Sequence, residues 1–123
     1  MAIRVSGHPS SDRAASSTLP ALPGLLKDAA CALRRLYGER MVRAYLFGSQ
    51  ARGDAEPESD VDILVVLNRL ESQASEIERT SFLRADLSIR ARTTVSFVFV
   101  TAGYWATADT PFLTTVRPDA RPL

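Results

Sequence analysis

The sequence is most informative at LFGSQARG, residues 46–53, and at SDVDILVV, residues 59–66. The first stretch completes an apolar run that predicts a strand ending at Gly48. A Gly-Ser turn at the end of a strand offers unobstructed backbone N–H groups and a hydroxyl, and both suit the oxygens of a phosphate. Gly48 and Ser49 are therefore candidate phosphate-binding residues, and Ser49 can also cap a short helical turn.

The second stretch places Asp60 and Asp62 at the entrance to an apolar strand predicted over residues 61–67. Side chains alternate along a strand, so aspartates at i and i+2 project from the same face. Their Cα atoms lie about 6.6 Å apart in an extended chain, which lets both carboxylates bind one hard cation or bridge two. Without a cation the pair would be partly desolvated and mutually repelling, so a metal site explains it better than a solvated strand end.

The two stretches together form a Gly-Ser pair, ten intervening residues and an Asp-x-Asp pair. This pattern resembles the signature of the minimal nucleotidyltransferases, a small branch of the DNA polymerase β superfamily. These proteins usually carry Ala-Arg-Gly after the Gly-Ser pair and a serine before the first aspartate, and this chain has both, at residues 51–53 and 59. The resemblance implies an α/β fold, with a small mixed β-sheet and helices packed against it.

The same resemblance implies an activity. It is the transfer of a nucleoside monophosphate, with AMP from ATP as the favoured case, to a hydroxyl of a protein or a small molecule. Asp60 and Asp62 would be catalytic and hold Mg²⁺, while Gly48 and Ser49 would bind the β- and γ-phosphates. Minimal nucleotidyltransferases also resemble the antitoxin halves of two-gene modules, so the resemblance further implies an all-helical, toxin-like protein partner.

Arg52, on the Ala-Arg-Gly segment, admits two interpretations. Its guanidinium is a candidate contact for a phosphate of the nucleotide. Alternatively, it braces the loop by pairing with an acid nearby in sequence, such as Asp54 or Glu56. The sequence leaves both interpretations open.

The chain departs from the family pattern at one point. Polymerase β-type enzymes generally carry a third carboxylate on a later strand, facing the first two. The corresponding strand here is VSFVFV, residues 95–100, and it contains no acid. By alternation Ser96 is the candidate occupant of that position. Two hypotheses therefore stand: a nucleotidyltransferase, or a catalytically weak or inactive module of the same fold that binds a nucleotide or a partner.

Length and composition set the wider limits. A chain of 123 residues makes one domain, with a flexible tail predicted at residues 1–18 and the nucleotidyltransferase domain at residues 19–123. The net charge of +1 argues against a basic nucleic-acid-binding platform. Because no apolar run approaches the roughly 18 residues of a membrane span and no signal peptide is evident, we expect a cytoplasmic protein without membrane contact.

Apolar spacing predicts two main helices. The first begins near Pro23 and stops at Gly38, with a buried stripe at Leu22, Leu26, Ala29, Leu33 and Leu36. The second is a single long helix over residues 70–91, with a stripe at Leu70, Ala74, Ile77, Ser81, Ala85 and Ile89, while Leu83 and Leu87 point to a second contact surface. Near the C-terminus, Tyr104 and Trp105 are either a nucleobase-stacking surface or packed side chains, and packing is favoured.

Overall fold

In the part of the chain that the structure describes, the fold is a four-stranded mixed sheet with helices on both faces. The computed structural model describes residues 21–56 and 59–123, so the tail predicted at residues 1–18 lies outside the described residues. The strands are β1 (Met41–Phe47), β2 (Val61–Leu67), β3 (Val95–Thr101) and β4 (Arg121–Pro122), in the order β3-β2-β1-β4. β1 is antiparallel to β2 and to β4, whereas β2 and β3 are parallel. The predicted small mixed sheet of an α/β fold is confirmed.

Helices connect the strands. They are α1 (Leu22–Tyr37), α2 (Ser49–Arg52), α3 (Gln73–Arg79), α4 (Ser81–Ala91), α5 (Ala102–Thr107) and α6 (Pro111–Asp119). Gly38, with φ +57°, ends α1 as expected. Within the part of the chain that the structure describes, no helix is both long enough and apolar enough to cross a membrane.

Strand β2 is covered on both faces, as its continuous apolar sequence predicts. Its odd-numbered residues, 61 to 67, pack with α1 and α4 in the main core, on what we call the core face. The other face carries Leu64 and Val66, which pack with Val100 under Trp105 of α5. We call this the cleft face, and alternation along β2 puts Asp62 on it.

The single long helix predicted over residues 70–91 is wrong. The chain forms α3 and α4 instead, and Thr80 separates them with φ −101° and ψ +8°. The Thr80 hydroxyl donates to the carbonyl oxygens of Glu76 and Ile77, so the side chain competes with the helical ladder. The inward positions still recur every three or four residues across Thr80, so they form one stripe, on the face opposite the predicted one; they are Glu76, Thr80, Leu83, Leu87 and Ala91.

Most of the stripe predicted over residues 70–91 is exposed. Ile89 is 77% exposed and Ile77 is also exposed, whereas Leu87 is completely buried and Leu83 packs against the core. The second contact surface predicted from Leu83 and Leu87 is therefore wrong. In α1 the stripe is nearly correct, but its last member, Leu36, is exposed and the neighbouring Tyr37 is buried in its place.

A buried carboxylate joins α3 to the end of α1. Glu76 has no exposed surface, and its carboxylate accepts hydrogen bonds from the Tyr37 hydroxyl at 2.9 Å and from Arg40 Nη2 at 2.6 Å. Arg79 Nε and the backbone N–H of Glu71 complete the set, each at 3.3 Å. Burial by itself disfavours the ionised form, but the bonds from Arg40, Tyr37 and Glu71 outweigh it and lower the pKa of Glu76.

We expect Glu76→Gln to lower the free energy of unfolding by about 3 kcal/mol, because it removes one partner of a buried ion pair and leaves Arg40 without its counter-charge. The matched control is Glu78→Gln, two residues along on the exposed side of α3, which should change stability by less than about 0.5 kcal/mol. Denaturant unfolding measures both. Equal effects of the two substitutions would contradict a stabilising role for this network.

The stability difference between the wild type and Glu76→Gln should also depend on pH. The folded-state pKa of Glu76 lies below its ordinary value of 4.5, so its contribution is complete above that pH and is lost as the pH falls through the folded-state pKa. The stability difference between the wild type and Glu76→Gln should therefore stay constant near neutrality and shrink in acid. Groups common to both proteins cancel in the difference. A difference that grows as the pH falls below 4.5 would show the opposite sign of coupling.

Candidate active site at the start of strand β2

The Gly-Ser turn lies where the sequence predicts it, between β1 and α2. Gly48 has φ +81° and ψ −160°, a conformation essentially restricted to glycine. Its carbonyl oxygen accepts hydrogen bonds from the N–H groups of Ala51 and Arg52, each at 3.1 Å, which closes the turn. A Cβ atom on Gly48 would lie 2.6 Å from Oδ2 of Asp62. The Asp62 carboxylate therefore packs directly against the backbone of the turn.

The sheet register aligns the site across three strands. Asp62 pairs with Phe47 of β1 and with Ser96 of β3, so the three residues form one row on the cleft face. This register confirms the prediction that Ser96 and Asp62 lie close to each other. Within residues 21–56 and 59–123, no group of three or more Asp, Glu, His or Cys side chains comes together in a way that would hold a metal ion. Asp62 thus has Ser96 beside it, at the position where the resemblance to polymerase β-type enzymes implies a third carboxylate.

The charge of Asp60 acts on Asp62. Burial, and then the charge of Asp60, raise the pKa of the Asp62 carboxyl. Asp60 itself is exposed and immediately precedes β2. Two acids that repel each other next to an open backbone turn suit a divalent cation whose remaining ligands are phosphate oxygens. Asp60 and Asp62 are the residues that could hold it.

Arg52 forms hydrogen bonds with two acidic side chains. Its Nε donates to Asp54 at 3.2 Å and its Nη1 donates to Asp119, at the end of α6, at 3.3 Å. The structure thus shows the bracing contact that the sequence offered as an alternative. A contact between Arg52 and a phosphate stays a prediction.

Gln50 is a residue of the site that sequence reasoning missed. It is 2% exposed, and its Nε2 donates to the carbonyl oxygen of Ser59 at 3.2 Å. The hydroxyl of Thr93 donates to the same carbonyl at 3.3 Å. Gln50 thereby ties the phosphate turn to the peptide immediately before Asp60. The only signal in the sequence was a long polar side chain between Ser49 and Ala51.

The packing interpretation of Trp105 is confirmed. Its ring lies 4.9 Å from that of Tyr45, measured between centroids, and the Arg117 guanidinium lies 5.6 Å from the Trp105 ring centroid. Arg117 also donates to the Trp105 carbonyl oxygen at 2.8 Å. Tyr104 remains partly exposed on α5.

The turn itself can be tested with two glycines. We expect Gly48→Ala to cost about 2–3 kcal/mol, because the backbone conformation excludes a side chain, and to impair Mg²⁺-dependent ATP binding, because the Asp62 carboxylate must move. Gly53→Ala is the matched control: Gly53 has φ +82°, but a Cβ there would meet nothing within 4 Å. It should cost about 1 kcal/mol and spare binding. Denaturant unfolding and calorimetry measure the two effects, and impaired binding by both variants would contradict the assignment.

The chain is similar to several known proteins. A curated relative, the protein adenylyltransferase MntA of Thermococcus cleftensis, is 41% identical over 58 residues, which span 47% of this chain and 57% of that protein. A solved toxin–antitoxin structure with AMP-PNP superposes with a TM-score of 0.56 at 21% identity, covering 78% of this chain and 70% of that one. A candidate minimal nucleotidyltransferase superposes with a TM-score of 0.54 at 24% identity, covering 83% and 95%.

These two solved structures share the fold with this chain. The decisive match is the profile of a family described as the nucleotidyltransferase domain, which covers residues 26–101, well over half of the chain and the whole of the Gly-Ser and Asp-x-Asp motif. The resemblance to minimal nucleotidyltransferases is confirmed. The chain belongs to the nucleotidyltransferase domain family.

Proposed function

We propose that this protein is a metal-dependent nucleotidyltransferase that transfers AMP from ATP to a hydroxyl group. The observation that carries the proposal is the contact between the Asp62 carboxylate and the Gly48 backbone. It brings the candidate cation ligands directly against the candidate phosphate turn. A triphosphate on the turn would therefore lie beside the carboxylates.

Each residue has a role in this proposal. Asp60 and Asp62 hold Mg²⁺, which when bound neutralises charge on the phosphate oxygens. The turn at Gly48 and Ser49 orients the β- and γ-phosphates through backbone N–H groups and a hydroxyl. Arg52, at the end of the same turn, is a further phosphate ligand that would exchange its contacts with acids for one with the nucleotide.

The bond changes follow from the substrate. The acceptor oxygen attacks the α-phosphorus, the bond to the bridging oxygen of the β-phosphate breaks, pyrophosphate leaves, and the hydroxyl proton passes to solvent or to a base. The relative named as a protein adenylyltransferase supports AMP as the group and a protein as the acceptor. The structural neighbour described as a toxin–antitoxin supports an antitoxin role with a toxin-like protein as partner. The proposal further includes an all-helical fold for that partner, as the resemblance to minimal nucleotidyltransferases implies, and a cytoplasmic location, as expected from the sequence.

One observation favours a second candidate function. Ser96 pairs with Asp62 where polymerase β-type enzymes generally carry a third carboxylate. A serine does not act as a general base at neutral pH and binds divalent cations weakly. The alternative is therefore a catalytically weak or inactive module that binds a nucleotide or a partner protein.

Two measurements test these candidates. Calorimetry compares ATP with Mg²⁺ against ATP with EDTA, and we expect binding only with the metal. Incubation with Mg²⁺ and ATP, GTP, CTP or UTP labelled at the α-phosphate, with lysate of the source cell as acceptor, then measures transfer. Transfer from ATP supports the enzyme, while metal-dependent binding without any transfer supports the binding module. Equal affinity in EDTA would overturn the metal assignment.

A further inference from the structure

An exposed aromatic ring borders the candidate site. Phe112 lies in the first turn of α6 and is 42% exposed. Its ring meets that of Phe47 edge to face, with centroids 5.8 Å apart and planes at 89°. Phe47 directly precedes Gly48 in the chain and pairs with Asp62 across the sheet. Phe112 is thus separated from the phosphate turn and from the carboxylates by a single side chain.

The helix that carries Phe112 is firmly held. The Thr110 side chain caps its start by accepting from the N–H of Leu113, and Leu113 itself is completely buried. Just beyond its other end, Arg121 Nη1 donates to the carbonyl oxygen of Ala51 in α2 at 2.8 Å. Because α2 begins directly after Gly48, this hydrogen bond ties the end of α6 to the phosphate turn. The exposed ring therefore keeps a set position relative to the turn.

The other exposed aromatic side chains of the described residues lie elsewhere. Phe82 is on α4, which packs against the core face, opposite the site. Tyr104 follows the end of β3, where Thr101 pairs with Leu67, five residues from Asp62 and so about 16 Å along β2. Phe112 is the exposed aromatic that is within reach of a nucleotide bound at the turn.

We propose that Phe112 is the stacking surface for the nucleobase of the nucleotide whose phosphates bind at Gly48 and Ser49. This inference rests on the proposed function and extends it to the base. Every nucleobase has a π-face, so stacking on one aromatic ring adds affinity with little discrimination between bases. Phe112 would give affinity for any nucleoside triphosphate, and a purine would offer the larger contact area.

The test separates the base from the phosphates. Calorimetry measures Mg²⁺-ATP and Mg²⁺-tripolyphosphate, which lacks the base and sugar, on the wild type and on Phe112→Ala. We expect Phe112→Ala to weaken ATP binding about 5- to 150-fold and to leave tripolyphosphate binding unchanged. Phe112→Trp should bind ATP at least as well as the wild type. The matched control is Phe82→Ala, which removes a ring that is 92% exposed on the other side of the sheet and should change neither affinity.

The remaining outcomes are also decisive. Wild-type ATP affinity in Phe112→Ala overturns the inference alone, as does an equal loss of affinity for both ligands. If neither ligand binds to the wild type, the proposed function fails and the stacking role fails with it. Circular dichroism checks folding. Should Phe112→Ala not fold, Phe112→Leu keeps an apolar side chain against Phe47 and must show the same selective loss.

Discussion

Asp62→Asn should abolish the Mg²⁺-dependent binding of ATP and any nucleotidyl transfer while the protein remains folded. The substitution is isosteric, so the side chain still fits against Gly48, but it removes one of the two charges that would hold the cation. Loss of even an outer-shell partner of a metal typically costs about 10- to 100-fold in affinity, and loss of a direct ligand should exceed this. Asp60→Asn should act in the same direction.

Stability provides the second readout of Asp62→Asn. The pKa of Asp62 is raised by burial and by the charge of Asp60, so the folded state without metal disfavours this charge. Removing it should leave the melting temperature unchanged or increase it. The matched control is Asp86→Asn on α4, an exposed carboxylate that pairs with Arg90 on the other side of the sheet and should leave ATP binding intact. A large loss of stability in Asp62→Asn would mean that the pair is structural.

Ser96→Asp should raise any transferase rate by about 10²- to 10⁴-fold, the usual contribution of a positioned general base. Asp62 and Ser96 pair across β2 and β3, and residues paired in this way project from the same face. The introduced carboxylate would therefore lie on the cleft face beside Asp62, at the position where the family resemblance implies a third carboxylate. Rates of transfer from labelled ATP measure the gain.

The same substitution has a foreseeable cost. Without metal, three carboxylates would repel one another, so the protein should lose stability, and Mg²⁺ should restore it. Ser81→Asp is the control, because it adds the same charge at the start of α4, away from the cleft face, and should respond to Mg²⁺ as the wild type does. An unchanged rate together with no Mg²⁺-dependent stabilisation would contradict the view that the lack of a third carboxylate limits catalysis.

Much of the site could be predicted because its chemistry is local in sequence. The Cα atoms of Asp60 and Asp62 lie within about 7 Å of each other in any fold, because only Val61 separates them. The turn at Gly48 similarly depends on the backbone of a few neighbouring residues. The ten-residue spacing between the two motifs, through the resemblance it carries, was enough to predict the small mixed sheet.

Other features depended on residues far apart in the chain, and only the folded structure reveals them. The Tyr37–Glu76 hydrogen bond joins residues 39 positions apart, and the Arg52–Asp119 pair joins residues 67 positions apart. No periodicity encodes such contacts. In the sequence, Glu76 looks like an ordinary polar residue and Phe112 like an ordinary apolar one, although Glu76 is buried and Phe112 is half-exposed. Their environments arise only when helices pack.

The helix over residues 70–91 shows the same limit at shorter range. Its apolar spacing suited one continuous helix with Ile89 on the buried face, but the chain forms two helices that meet at Thr80, and packing buries Leu87 and leaves Ile89 exposed. Sequence alone indicated the turn at Gly48 and the aspartates at the start of β2, because strand geometry and turn geometry are properties of adjacent residues. Tertiary packing decided what surrounds them, because burial and register are set by partners that the local chain does not contain.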